Sequence, residues 1–152
     1  MRGRLLLLLL LAALGAAAVV TATAGAKGAS KSGAATVSVR RTKLGRILVD
    51  GSGRTLYLFM KDKNDKSACA GACADGWPPL LTNGRPKAGH GVSQKLLGTT
   101  IRKSGRQVTY AGHPLYRYAG DSKAGQTNGE GSTAFGAPWY VLGSNGRKID
   151  KS

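Results

Sequence analysis

The chain has 152 residues and carries 23 Lys and Arg against 7 Asp and Glu, a formal net charge of +16. Without its leader this length leaves one or at most two small domains, able to bury roughly two-thirds of the unfolded surface. Such an excess of positive charge attracts anionic polymers through long-range potential and counterion release. No helix-turn-helix, zinc-finger or RRM pattern accompanies it, which speaks against specific nucleic-acid recognition.

Residues 1–26 read as a signal peptide that forms an apolar helix. Arg2 and Arg4 make a positive start, Leu5 to Val20 make the apolar stretch, and Ala22, Thr23, Ala24, Gly25 and Ala26 supply A-x-A cleavage choices. The apolar run is only a little short of the roughly 20 residues a bilayer requires, but its small-residue end favours cleavage, so no stable transmembrane anchor is expected afterwards. No Cys lies near the boundary, so lipid attachment to an N-terminal Cys is not expected. Residues 27–43 read as a basic flexible linker running into the first strand. Lys27 to Ala35 has no large apolar residue to offset its ordering entropy. From there to Arg46 the charges are all positive: Lys27, Lys31, Arg40, Arg41, Lys43 and Arg46. In an exported protein these cations would meet envelope phosphates, anionic lipids or acidic glycans; alternatively they only keep the domain soluble and monomeric.

Residues 44–149 read as one all-β domain, followed by a tail at 150–152. Val37 and Val39 alternate with polar residues, Ile47 to Val49 is a short apolar run, and Asp50-Gly51-Ser52-Gly53 is turn chemistry leading into Thr55 to Phe59. The second half repeats the scheme with Thr99 to Arg102, a Ser104-Gly105 turn, Gln107 to Tyr110, an Ala111-Gly112 turn and Leu115 to Tyr118. Helical periodicity is hard to find; Val92 to Leu97 could give a turn or two.

The repetition is specific. Tyr57, Phe59 and Asp62 in LYLFMKD match Tyr116, Tyr118 and Asp121 in LYRYAGD, and a single gapless offset also aligns Val49 with Val108, Gly53 with Gly112 and Leu56 with Leu115. A Trp follows a glycine-rich loop after each copy, Trp77 and Trp139. The expected fold is two pseudo-symmetric antiparallel β repeats, 44–82 and 97–143, that share one core because neither buries its apolar face alone. Strand alternation puts Tyr57 and Phe59 on one face, as it does Tyr116 and Tyr118, while the opposite face carries Leu58 or Arg117. The face that stays aromatic should point inward. Asp62 and Asp121 then either accept a buried tyrosine hydroxyl or bind backbone N–H groups of the following loop. Service of these Tyr and Asp residues as metal or haem ligands is the alternative.

Cys69 and Cys73 lie close together, and in an oxidising setting the simplest reading is a disulfide. Their spacing is neither C-x-x-C nor C-x-x-C-H, and zinc would need His90 and His113 as further ligands. Copper capture by Cys69, Cys73, Met60 and a histidine is the competing reading. Asp62-Lys63-Asn64-Asp65 has oxygen ligands at calcium-like spacing, but Lys61, Lys63 and Lys66 crowd it. Residues 121–131 offer Asp121, Asn128 and Glu130 among three glycines as a second cation-like set, and read more simply as a turn-rich connection. No nucleophile, base and orienting group stand in a recognisable pattern, so no catalytic residue and no cofactor are assigned.

GRTLYLFMKD, CAGACADGWPPL, QVTYAGHPLYRYAGD and PWYVL together resemble the bacterial secreted-repeat family of predicted lipoproteins with a Yx(FWY)xxD motif, over about Leu44 to Ile149. The resemblance implies an extracytoplasmic protein of tandem repeats with no established activity; members are often lipid-anchored and some are placed in envelope or electron-transfer settings. This chain departs in lacking the lipobox Cys and in carrying His113 where a large aromatic would be expected. The expected function is a non-enzymatic envelope or extracellular module whose basic surface contacts anionic cell-wall polymers or lipids. An extracytoplasmic redox or metal-handling accessory is the alternative.

Overall fold

The computed structural model describes residues 33–151; the expected leader and most of the basic linker lie outside them. Strand β1 (Thr36–Thr42) pairs antiparallel with β2 (Gly45–Asp50) through a tight turn, β3 (Tyr57–Phe59) follows, and a single helical turn, α1 (Ala72–Gly76), carries Cys73. The connection between repeats contributes β4 (Lys87–Ala88), which lies parallel on the outer edge of β1. The second repeat gives the hairpin β5 (Leu97–Arg102) and β6 (Gly105–Tyr110), then β7 (His113–Pro114), β8 (Trp139–Leu142) and β9 (Lys148–Ile149). A 3-10 turn at Gln94–Leu96 is what becomes of the weak helical signal near Val92.

Most described elements are strands, and two related β units build three small sheets, β2-β1-β4, β3-β8-β9 and β5-β6-β7. The all-β, two-repeat reading holds. The strand before Leu44 is paired with β2 from Val37 to Thr42, so repeat one structurally includes β1.

The gapless alignment is corrected at one place. Leu56 N–H bonds Leu48 C=O, and Leu115 N–H bonds Val108 C=O, so Leu48, not Val49, is the structural counterpart of Val108. The cause is turn length. Asp50 closes its loop on Arg54 across Gly51-Ser52-Gly53, whereas Tyr110 pairs with His113 across Ala111 and Gly112 alone, both with positive φ as a two-residue primed turn demands. One residue of slip swaps the faces of a strand. Leu48 and Val108 accordingly pack with Leu56 and Leu115 in one apolar layer, while Val49 lies in the other.

Those two layers cover opposite faces of the central strands, and each draws on both repeats. One gathers Leu48, Leu58, Leu80, Val108, Tyr110 and Leu142. The other gathers Ile47, Tyr57, Phe59, Trp77, Tyr116 and Trp139. The short apolar runs of β2, β3 and β8 therefore have no solvent face, which is why they do not alternate in polarity.

Candidate functional site

The two motifs meet back to back. Tyr57 N–H donates to Tyr116 C=O at 2.8 Å and Tyr116 N–H donates to Tyr57 C=O at 3.0 Å, an antiparallel bridge about which the repeats are related by a pseudo-two-fold. From this crossing the side chains reach into the opposite repeat. The Tyr57 hydroxyl donates to Asp121 Oδ2 at 2.6 Å, and the Tyr116 hydroxyl donates to Asp62 Oδ2 at 2.8 Å. The remaining carboxylate oxygens take loop amides: Ala68 N–H on Asp62 at 2.7 Å and Asn128 N–H on Asp121 at 2.9 Å. Both roles open to these aspartates from sequence are filled at once, on separate oxygens, and the hydroxyl comes from the other copy.

The two clasps are not equal. Tyr116 Oη also lies 2.7 Å from Ser67 Oγ, whereas Tyr57 Oη otherwise only accepts Gly129 N–H at 3.3 Å. Asp121 is 1% exposed; Asp62 is half-buried. Burial, reinforced by hydrogen bonding and charge from Asp121, holds the Tyr57 hydroxyl far above its ordinary range, and burial with the charge of Asp62 does the same for Tyr116. Both phenols are thus neutral donors at any physiological pH.

Beside the clasps, four rings form one pile. Phe59 stacks on Trp139 with centroids 4.0 Å apart, Trp139 on Trp77 at 3.9 Å with planes 5° from parallel, and Tyr118 closes the pile on Trp77 at 4.4 Å. Tyr57 meets the edge of Trp77 at 5.3 Å and Tyr116 that of Trp139 at 5.1 Å. Phe59 reaches its Trp directly because it lies opposite Trp139 in the β3–β8 ladder. Phe59 and Tyr118 therefore each pack on the Trp of the other repeat, while Tyr57 and Tyr116 meet the Trp of their own. The sequence presents these Trp residues without their partners, since loops of unequal length precede them.

Cys69 and Cys73 are bonded to each other, with Cα atoms 5.2 Å apart. Arg102 grips the same loop, Nη2 donating to Cys69 C=O at 2.7 Å and Nη1 to Gln107 Oε1 at 2.9 Å. Replacing both cysteines by alanine should lower unfolding free energy by about 2 kcal/mol, the chain-entropy value for so short a loop. Urea unfolding of variant and parent under oxidising conditions checks this; a loss equal to that of a core truncation would contradict the value. Met60 is exposed just after β3, His90 lies beside β1 and His113 in β7. Among the described residues, no three His, Cys, Asp or Glu gather as a metal cluster. Burial lowers the pKa of His113, with the charge of Asp65 opposing.

From sequence, Asp50 is only a turn former, and Glu130 is only one oxygen donor of a weakly cation-like, turn-rich loop. Asp50 Oδ1 accepts Ser52 N–H, Ser52 Oγ–H and Arg54 N–H, and Oδ2 pairs with Arg117 Nε. An Asp opening a glycine-rich turn was the available signal. Arg117, read from sequence as lying on the face opposite the motif aromatics, thereby ties repeat two to the Asp50–Arg54 turn of repeat one. Glu130 Oε2 accepts Val141 N–H of the central strand β8 at 2.6 Å, a pairing with no local sequence mark.

Among the described residues no helix is long and apolar enough to cross a membrane. No curated protein and no solved structure matches the chain. A family model described as a secreted repeat of unknown function matches residues 38–81 and again 98–142, the same two segments that the crossed clasps and the ring pile lock together. The chain belongs to this secreted-repeat family, of which it carries two copies.

Proposed function

We propose that the protein is an exported, non-enzymatic module of the bacterial envelope or its surroundings, whose cation-rich exterior binds anionic wall polymers or lipid headgroups. The observation that carries the reading is the placement of the acids. Asp50 and Asp121 are buried, Asp62 and Glu130 are half-buried, and all four accept hydrogen bonds inside the fold. That is four of only seven acids in the chain. The exterior keeps Asp65, Asp75 and Asp150 against exposed cations such as Arg40, Arg41, Lys43 and Arg46 on the first hairpin and Lys61, Lys63 and Lys66 on the motif loop. An unbalanced positive surface draws polyanions from a distance and holds them through many weak, screened contacts.

Sedimentation of the exported protein with phosphatidylglycerol vesicles, and separately with polyphosphate, tests this. Binding should fall on the order of tenfold or more over a severalfold rise in salt, and exchanging Arg40, Arg41, Lys43 and Arg46 for Gln should weaken it and flatten the salt dependence. Salt-independent binding, or none to either anion, contradicts the proposal.

A further inference from the structure

The two repeats differ in what lies on their outer edge. In repeat one the edge of β1 is closed by a strand from the connection: Gly89 N–H donates to Val37 C=O at 2.7 Å, and Val39 N–H donates to His90 C=O at 2.8 Å. In repeat two the corresponding strand, β5, is the end strand of its sheet. Its ladder to β6 uses Gly98, Thr100 and Arg102, so the backbone groups of Thr99 and Ile101 face outward, as does the C=O of Leu97, and none finds a backbone partner among the described residues. Leu97 and Thr99 are the counterparts of Val37 and Val39. The acceptor and donor that hold a strand on one repeat are thus offered empty on the other, and Ile101 beside them is 75% exposed.

We infer that β5 is a docking edge for an extended acidic peptide of a partner protein, which adds as a further strand in the way residues 87–90 add to β1. Charge selects this occupant. A hollow of about 240 Å³ beside β5 is lined by Arg85, Pro86, Leu97, Gly98, Thr99 and Arg106, and Lys95 and Lys103 stand at the two ends of the strand. A second copy of β5 would bring these cations against their own kind on chains of net charge +16. An acidic strand meets them with opposite charge while its backbone fills the ladder. The edge also differs from its twin in what it admits. A Cβ on Gly89 would lie 2.0 Å from Ser38 Oγ and 3.1 Å from Val37 C=O, so a side chain there would have to displace the hydroxyl and crowd the backbone; β5 carries Gly98 in place of Ser38, which leaves room for a side chain on the incoming strand.

The test uses the full exported chain and a short capped peptide alternating Glu and Val. Saturating peptide should slow amide exchange of Thr99 and Ile101 by about tenfold or more, as new ladder hydrogen bonds do. The same peptide N-methylated at alternate backbone nitrogens keeps its charge but cannot pair, and should bind at least about tenfold more weakly. Thr99→Pro deletes an outward donor while leaving the β5–β6 ladder intact, and should abolish protection with the stacked-tryptophan circular dichroism unchanged. The N-methyl comparison stands even if that variant fails to fold. Equal binding of the N-methylated peptide, protection confined to other amides, or protection of Thr99 and Ile101 that appears with protein concentration alone overturns the inference. Polyphosphate and anionic vesicles should leave these two amides unprotected, so this inference and the polyanion reading fail separately.

Discussion

Trp139→Ala should lower the unfolding free energy by about 3–5 kcal/mol, the range of large aromatic truncations in cores. The side chain is fully buried, its two faces are covered by Phe59 and Trp77, its edge by Tyr116, and its Nε1–H donates to Ala134 C=O at 2.9 Å. Deleting it opens a void in the middle of the pile that no neighbour can fill without leaving its own partner. Tyr118→Ala removes only the outer plate, which is half-exposed, and should cost clearly less. Chemical denaturation of the two variants ranks them, and stacked indoles supply a second readout, because the exciton band of the Trp77–Trp139 pair should vanish in Trp139→Ala and survive in Tyr118→Ala. A Trp139→Ala protein no less stable than Tyr118→Ala would mean that the pile does not hold the repeats together.

That pile also marks where the sequence stops being informative. Inward-facing aromatics in the Tyr-x-aromatic strands follow from period-two alternation, and their duplication required a shared core. The choice of partner did not follow. Nothing within YLFMKD tells whether Tyr57 bonds Asp62, five positions on in the same motif, or Asp121; the antiparallel crossing of residues 57 and 116 decides it, and that crossing is set by both repeats together. The slip at Val49 has a similar origin, since glycine-anchored turns align well by eye yet differ by one residue, and a strand read through such a turn inherits the error. Short elements escaped for a different reason. Helix α1 and strand β4 are below the length at which periodicity can be measured, and β4 exists because the inter-repeat connection passes the open edge of β1, a tertiary accident of path. The disulfide was legible because it depends on residue type and spacing, whereas the inward turning of the acids depends on which turns close over them.

The crossed clasps should prove unequal, with Asp121→Ala costing about 2–3 kcal/mol and Asp62→Ala about 1 kcal/mol, the upper and lower parts of the range for abandoning buried hydrogen-bonding groups. Losing Asp121 strands the Tyr57 hydroxyl and Asn128 N–H in a fully buried place. Losing Asp62 leaves Tyr116 its contact with Ser67 and exposes the vacancy to water. Double-mutant cycles with Tyr57→Phe and Tyr116→Phe isolate the pairs, and coupling should be found for Tyr57 with Asp121 and for Tyr116 with Asp62, but not within a motif. Acidification adds a signature. Burial raises the pKa of Asp62 against the opposing hydrogen bonds of Ala68 and Tyr116 and the charge of Arg102, so the folded state holds the proton more tightly than the unfolded one. Its contribution therefore improves as pH falls through the raised value and levels off below the ordinary carboxylate range. Asp50 runs the other way: burial would raise its pKa, but hydrogen bonds from Ser52, Arg117 and Arg54 bring it below normal, so its stabilisation is complete above the ordinary range and is lost as pH falls through the lowered value. Asp62→Asn should accordingly gain on the parent above the ordinary carboxylate range and lose that advantage on acidification, while the deficit of Asp50→Asn shrinks over the acid limb. Matching pH profiles for the two variants would show that the loop around Asp62 and the turn around Asp50 do not hold their carboxylates as the fold requires.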